Sequence, residues 1–228
     1  MILLLILLSL SVINCFIPPQ LINPLLSGSQ LILAKKGKEH LEDLKLNANT
    51  TRKIIHISTA PTFISTWGLY NQFDAKLWAT SVPLFASLFL LYKGDELAEI
   101  ISRSGNSKEI FKGPLLYTSI LTILTYYYWI DNPIGIIAMM QLAIGDGFAD
   151  IIGRKFGKIK WPYNNKKSIE GTFGFFMTSI ISTQLLVNNF YHYNFDFNKI
   201  IIISLVSSLV ETISTIDDNI SIPLSVLL

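Results

Sequence analysis

Six long apolar segments dominate this 228-residue chain and restrict what it can fold into. Each runs for about 16 to 20 residues, and an α-helix needs about 20 apolar residues to cross the hydrocarbon core of a bilayer. The pattern therefore predicts an all-α fold, a polytopic transmembrane helical bundle of about six to seven helices. A seventh apolar piece, Ile220 to Leu228, is too short to span, and it either folds back into the bundle or marks a truncated end. The six segments are Ile54 to Phe73, Leu77 to Tyr92, Pro114 to Ile130, Pro133 to Ile151, Ile169 to Asn189 and Ile200 to Ile216.

The composition also favours a lipid environment. Half of the residues are hydrophobic and only 15% are charged, whereas soluble domains average about a quarter charged residues. The formal net charge of +2 is too small to indicate nucleic-acid binding through bulk electrostatics. The single cysteine, Cys15, excludes an internal disulfide framework and a cysteine-based zinc site. We therefore expect a protein whose partner is the lipid bilayer.

The basic residues are distributed unevenly among the predicted loops. All but two of the 18 Lys and Arg residues precede the first apolar segment, or lie between the second and third or between the fourth and fifth segments. The exceptions are Lys76 and Lys199. Because multi-pass proteins keep Lys and Arg on alternate loops, this distribution predicts that the three basic regions share one face of the membrane.

The N-terminal region predicts a targeting segment. Met1 to Ile13 is almost entirely Leu and Ile, and the stretch that follows, up to Lys38, contains no acidic residue. Together they resemble the bipartite plastid-targeting leaders of algae with complex plastids. We expect residues 1–50 to form a leader and basic linker, and residues 51–228 to form the membrane domain. This leader predicts a plastid membrane, and the sequon Asn49-Thr50-Thr51 keeps the ER membrane as the alternative.

Two aspartates lie in the last part of the fourth apolar segment. On a helix, Asp146 and Asp150 lie one turn apart on the same side, close to Arg154. Carboxylates in a membrane segment are costly, about 2.5 to 3.5 kcal/mol each on insertion scales. The two aspartates could have a purely structural role, with their charge balanced by Arg154. The alternative that we favour is a divalent-metal site, because two hard oxygen ligands suit Mg²⁺ and nearby glycines let a phosphate approach the backbone.

The loop after this helix is suited to phosphate. Ser168 can cap the next helix, whose N-terminal amides would then form an anion site beside Lys166 and Lys167. The lysines could instead belong to an ordinary basic loop. We expect the nucleotide and phosphate to contact six residues, namely Gly147, Gly153, Arg154, Lys166, Lys167 and Ser168.

Further polar residues return to the same predicted face. Glu211 lies near the end of the sixth segment and the run Asp217-Asp218-Asn219 follows it. Arg52 and His56 lie one helical turn apart at the start of the first segment. We expect Asp146, Asp150 and Asp217 to hold the metal ion, and Asp146, Asp150 and Asp218 to serve catalysis. Supporting roles fall to Arg52, His56, Lys112, Glu211 and Asn219. Such a set suits phosphoryl or nucleotidyl transfer, which depends on positioning and charge neutralisation.

Five ordered blocks of residues now identify a resemblance. They are Arg52-Lys-Ile-Ile-His56, Arg103 to Leu115, Gly145 to Gly157, Pro162 to Ser168 with Gly171, and Glu211 with Asp217 to Pro223. Together they closely resemble the phytol kinase and farnesol kinase family, within the wider polyprenol and dolichol kinase group. Asn106 and Ser107 depart from the acid and proline that are frequent in relatives.

The resemblance implies an integral membrane kinase that phosphorylates an isoprenoid alcohol, phytol before farnesol, geranylgeraniol or dolichol. It also implies CTP or another nucleoside triphosphate as donor, Mg²⁺ or Mn²⁺ as cofactor, and a place in tocopherol biosynthesis. Two other classes stay open. A CDP-lipid cytidylyltransferase uses similar ingredients, and a small membrane transporter would use intramembrane acids to carry ions.

Overall fold

The computed structural model describes residues 48–70, 74–101 and 107–228. Most of the predicted leader, and Arg103 and Asn106, therefore lie outside the described residues. The chain divides into two compact units. Among the described residues, the first contains 48–55 and Thr62–Tyr127, and the second contains His56–Pro61 and Tyr128–Leu228.

Four helices and a short 3₁₀ turn supply the first unit. The helices are α1 (Ala48–Ser65), α2 (Ala75–Ile101), α3 (Ser107–Lys112) and α4 (Pro114–Tyr127), and the turn is Trp67–Leu69. Part of α1 belongs to each unit. Helices α2 and α4 pack along one another, and Ser87 of α2 donates a hydrogen bond to Thr118 of α4 at 2.8 Å. Leu121 and Leu124 of α4 are buried.

The second unit is built around one long interrupted helix. It begins with α5 (Pro133–Met140), passes through a π-helical turn (Gln141–Gly145) and continues as α6 (Asp146–Phe156). Asn132 caps its start by accepting a hydrogen bond from the amide of Ile134, and Pro133 suits the first helical position. The residues of α5 from Ile136 onward are fully buried. This helix therefore forms the centre of the unit.

The remaining elements surround that centre. They are β1 (Lys160–Trp161), β2 (Asn164–Ser168), α7 (Ile169–Thr183), a second π-helical stretch (Gln184–Phe190), α8 (Phe197–Ile213) and α9 (Asp218–Leu227). Helix α7 packs on α6 and α8, while α9 packs on α8 and α5.

The predominantly helical fold is confirmed, and each of the six predicted apolar segments overlaps a helix, although residues 71–73 of the first segment lie outside the described residues. Among the described residues, two stretches are long and apolar enough to cross a membrane, Ala75–Gly94 and Pro133–Phe156. The number of membrane crossings stays a prediction. The seventh apolar piece forms most of α9 and packs against α8 and α5.

Strands β1 and β2 form an antiparallel hairpin that the all-α prediction missed. Lys160 pairs with Ser168 and Trp161 with Asn164, with a register shift between the two pairs. Its strands contain Lys, Asn and Trp in no alternating apolar pattern, so the sequence carries only a weak strand signal. The side chain of Glu170 closes the base of the hairpin by accepting hydrogen bonds from the amides of Lys158 and Ile159.

Candidate metal and phosphate site

Three carboxylates from three different helices meet in the second unit. Asp146 begins α6, Glu211 lies in the last turn of α8, and Asp218 begins α9. One ligand oxygen from each lies within 4.8 Å of the other two. We call Asp146, Glu211 and Asp218 the carboxylate triad. Asp218 is placed favourably at its own helix N-terminus, where the backbone amides attract negative charge.

Lys167 of β2 reaches into the carboxylate triad. Its Nζ donates to Glu211 Oε1 in a very short contact and to Asp218 Oδ2 at 2.9 Å. Glu211 is 3% exposed, so this carboxylate has few alternative partners in water. Burial disfavours the charged ammonium, but the charges of Glu211, Asp218 and Asp146 outweigh it and hold the pKa of Lys167 above its ordinary value.

His56 approaches the triad from α1. Its Nε2 lies 3.7 Å from Asp146 Oδ2 and 3.4 Å from the carbonyl oxygen of Leu142. This approach depends on Gly147, because a Cβ atom there would overlap the side chain of Ile57. Gly147 therefore lets α1 pack closely on α6, and its predicted contact with phosphate stays a prediction.

Two of the predicted metal ligands lie beside the triad but outside it. Asp150 Oδ1 accepts a hydrogen bond from Arg154 Nε at 2.8 Å, the contact expected of a structural pair. Asp217 is the N-cap of α9 and accepts from the backbone amide and the side-chain amide of Asn219 at 3.0 and 2.7 Å. Ligand roles for Asp150 and Asp217 stay predictions.

Ser168 caps α7, as predicted, by accepting a hydrogen bond from the amide of Gly171 at 3.1 Å. Its hydroxyl also lies against the Cα of Gly153, since a Cβ atom there would be 3.1 Å from it. A Cβ atom on Gly171 would be 2.8 Å from the carbonyl oxygen of Ala149. The glycines thus allow α6 and α7 to cross closely, and this crossing sets the position of the hairpin between them.

The other predicted residues differ in their surroundings. Lys166 and Arg154 are exposed on the second unit, where a phosphate could reach them. Lys112 is exposed at the end of α3, and Arg52 lies in α1 with its side chain outside the described part of the chain. Both belong to the first unit. Their supporting roles stay predictions.

Sequence reasoning missed three residues that hold the hairpin in place. Tyr163 and Asn164 both hydrogen-bond Thr212, the residue after Glu211. The sequence contains one signal for Tyr163 and Asn164, since they belong to the Pro-Tyr-Asn-Asn-Lys-Lys run that ends in the two lysines, and none for Thr212.

The donor set of the triad fits Mg²⁺. Mg²⁺ binds oxygen ligands octahedrally at about 2.0 to 2.1 Å, so its ligand oxygens are about 3 to 4 Å apart. Carboxylate oxygens within 4.8 Å of one another need only small side-chain movements to reach that spacing. An ion held by Asp146, Glu211 and Asp218 would supply positive charge next to Lys167. The arrangement can therefore neutralise a polyphosphate.

The chain is similar to curated plant proteins over most of its length. It is 34% identical to a probable phytol kinase, chloroplastic, of Triticum aestivum, across 78% of this chain and 65% of the relative. It is 32% identical to phytol kinase 1, chloroplastic, of Arabidopsis thaliana, across 80% of this chain and 66% of the relative. It is 34% identical to the farnesol kinase, chloroplastic, of Arabidopsis thaliana, across 83% of this chain and 66% of the relative. The chain thus spans slightly less than two thirds of the length of these relatives. No family model and no solved structure matches it.

Proposed function

We propose that the chain belongs to the phytol kinase and farnesol kinase family and that it phosphorylates the hydroxyl of an isoprenoid alcohol, with phytol as the first candidate. The donor is CTP or another nucleoside triphosphate, and the cofactor is Mg²⁺ or Mn²⁺. The kinase names of the relatives support a nucleotide as phosphoryl donor, and the carboxylate ligands of the site support a divalent metal.

The observation that carries this proposal is the carboxylate triad with Lys167 between two of its members. Phosphoryl transfer needs little covalent help from the protein, because catalysis is mostly positioning and charge neutralisation. Asp146, Glu211 and Asp218 hold the divalent cation, which neutralises phosphate oxygens when bound. Lys167 contacts the transferred or the leaving phosphate, and exposed Lys166 and Arg154 extend the positive charge.

The surface of the second unit supports a membrane location. One side of α7 and its π-helical extension exposes Phe173, Ile181 and Leu185, each more than half exposed, and α8 exposes Ile202 in the same way. Large apolar side chains at this exposure are stable when lipid surrounds them. Together with the spans Ala75–Gly94 and Pro133–Phe156, they support a polytopic bundle in which the alcohol reaches the site from the bilayer.

We place this protein in a plastid membrane. The relatives are named chloroplastic, and the N-terminal residues have the composition of a targeting leader. A fluorescent fusion at the C-terminus of the full chain tests this, because the alternative location predicts labelling of the ER instead.

A labelled-nucleotide assay tests the activity. Membranes containing the full chain are supplied with phytol, geranylgeraniol or farnesol and with Mg²⁺, and with CTP or ATP labelled at the γ-phosphate. We expect labelled prenyl monophosphate with phytol as the best acceptor. Membranes with Asp146→Asn serve as the control for host kinases. Transfer from α-labelled CTP with release of pyrophosphate would instead identify a cytidylyltransferase, and no transfer to any prenol would refute the proposal.

A further inference from the structure

The tip of the β1–β2 hairpin is bonded to the C-terminal turn of α8. The hydroxyls of Tyr163 and Thr212 lie 2.9 Å apart. Thr212 already donates its hydroxyl proton to the carbonyl oxygen of Leu209 at 2.8 Å. Because a hydroxyl has one proton to donate, Tyr163 is the donor and Thr212 the acceptor of the bond between them.

A second bond from the hairpin satisfies a helix end. The last four carbonyl groups of an α-helix have no partner within the helix. Helix α8 ends at Ile213, so the carbonyl oxygen of Thr212 is one of these, and Thr212 is fully buried. The side-chain amide of Asn164 donates to that oxygen at 2.9 Å. Asn164 therefore supplies a hydrogen bond to a carbonyl oxygen that water cannot reach.

Both hydrogen bonds lie next to the residues to which the proposed function assigns the metal and the phosphate. Thr212 directly follows Glu211, and Lys167 lies three residues after Asn164 on the same short strand. The base of the hairpin is held separately, because Glu170 accepts hydrogen bonds from two backbone amides there. A hairpin held at its base and at its tip has little freedom to move Lys167 away from Glu211.

We propose that Tyr163 and Asn164 are positioning residues, which hold the hairpin on α8 so that the Lys167 ammonium stays between Glu211 and Asp218. The proposal rests on the proposed function, in which Lys167 contacts the nucleotide. Tyr163 and Asn164 act through Lys167 and touch no reacting group themselves.

Kinetics of three variants test the proposal. Asn164→Ala and Tyr163→Phe each remove one bond, and we expect kcat/KM for the nucleotide to fall about three- to thirtyfold, with the KM for the prenol unchanged. Asn165→Ala, at the exposed neighbouring position, is the matched control and should behave as the wild type. In a Lys167→Ala background, Asn164→Ala should have no further effect. An equal loss with and without Lys167 would overturn the proposal.

Hydrogen–deuterium exchange of the detergent-solubilised protein separates this inference from the function. The amides of residues 160–168 should exchange faster in Asn164→Ala than in Asn165→Ala, whether or not the protein is a kinase. If the wild type transfers no phosphate but the hairpin loosens in this way, the proposed kinase activity is wrong, whereas the hydrogen bonds still hold the hairpin on α8. If the wild type is an active kinase and Asn164→Ala changes neither exchange nor kinetics, the positioning role is wrong.

Discussion

Replacing Lys167 by Met tests the electrostatics of the site directly. The substitution keeps the length of the side chain and removes its charge, which leaves three carboxylates within 4.8 Å of one another. Removing one partner of a fully buried ion pair costs about 3–5 kcal/mol. Here 26% of the Lys167 side chain and 32% of the Asp218 side chain are exposed, so solvent reduces the cost to about 2 kcal/mol. For a chain of this size, that lowers the melting temperature by about 4–8 °C.

Divalent cations should restore this loss. In the wild type, a bound Mg²⁺ would share the triad with an ammonium group, whereas in Lys167→Met it would meet uncompensated carboxylates and neutralise them. We therefore expect Mg²⁺ to raise the melting temperature of the variant more than that of the wild type. The measurement is thermal unfolding in detergent with EDTA and with Mg²⁺, and Lys166→Met, at an exposed position, is the control. Equal melting in EDTA and equal shifts with Mg²⁺ would refute the reasoning.

Three further predictions concern the surroundings of the site. Gly171→Ala forces a Cβ atom against the backbone of α6 and should cost about 1–3 kcal/mol in unfolding experiments, whereas Gly68→Ala, with no atom within 4 Å of the new Cβ, should cost far less. Ser168→Ala removes the cap of α7 and should cost about 1 kcal/mol in the same melts. In the phosphate-transfer assay, Asp146→Asn should lose about 100-fold or more and Asp150→Asn clearly less; equal losses would return Asp150 to the metal ligands.

Much of the fold follows from the sequence because each helix repeats one simple pattern. An apolar stretch near membrane length has few alternatives to an α-helix, since a bilayer supplies no partner for free backbone groups. The cap of α7 is equally predictable from the sequence, because Ser168 stands directly before the helix-forming run. The hairpin is not predictable in this way, since its conformation depends on Glu170, Thr172 and Thr212 in neighbouring helices. Such contacts between distant residues leave no local periodicity.

Local contacts in the structure separate acids that sequence spacing alone groups together. Asp146 and Asp150 are four residues apart, so spacing alone puts both on one side of a helix. Arg154 is four residues further on and pairs with Asp150, which leaves Asp146 to face Glu211. Asp217 and Asp218 are adjacent, and the start of α9 decides between them. Asp217 becomes the cap, and Asp218, as the first helical residue, turns towards Lys167.

The π-helical turn Gln141–Gly145 has a consequence for insertions and deletions. Each residue of an α-helix advances by about 100° around the axis, and a π-helical turn contains an additional residue compared with an α-helical one. If the same stretch lost one residue and wound as an ordinary α-helix, the hydrophobic length would hardly change. The turn would also complete about the same rotation with one residue fewer, so the direction of Asp146 would be kept. A single-residue deletion in this turn would thus keep Asp146 facing Glu211 and Asp218, whereas a deletion in the α-helical part of α5 would rotate Asp146 by about 100° relative to the start of that helix.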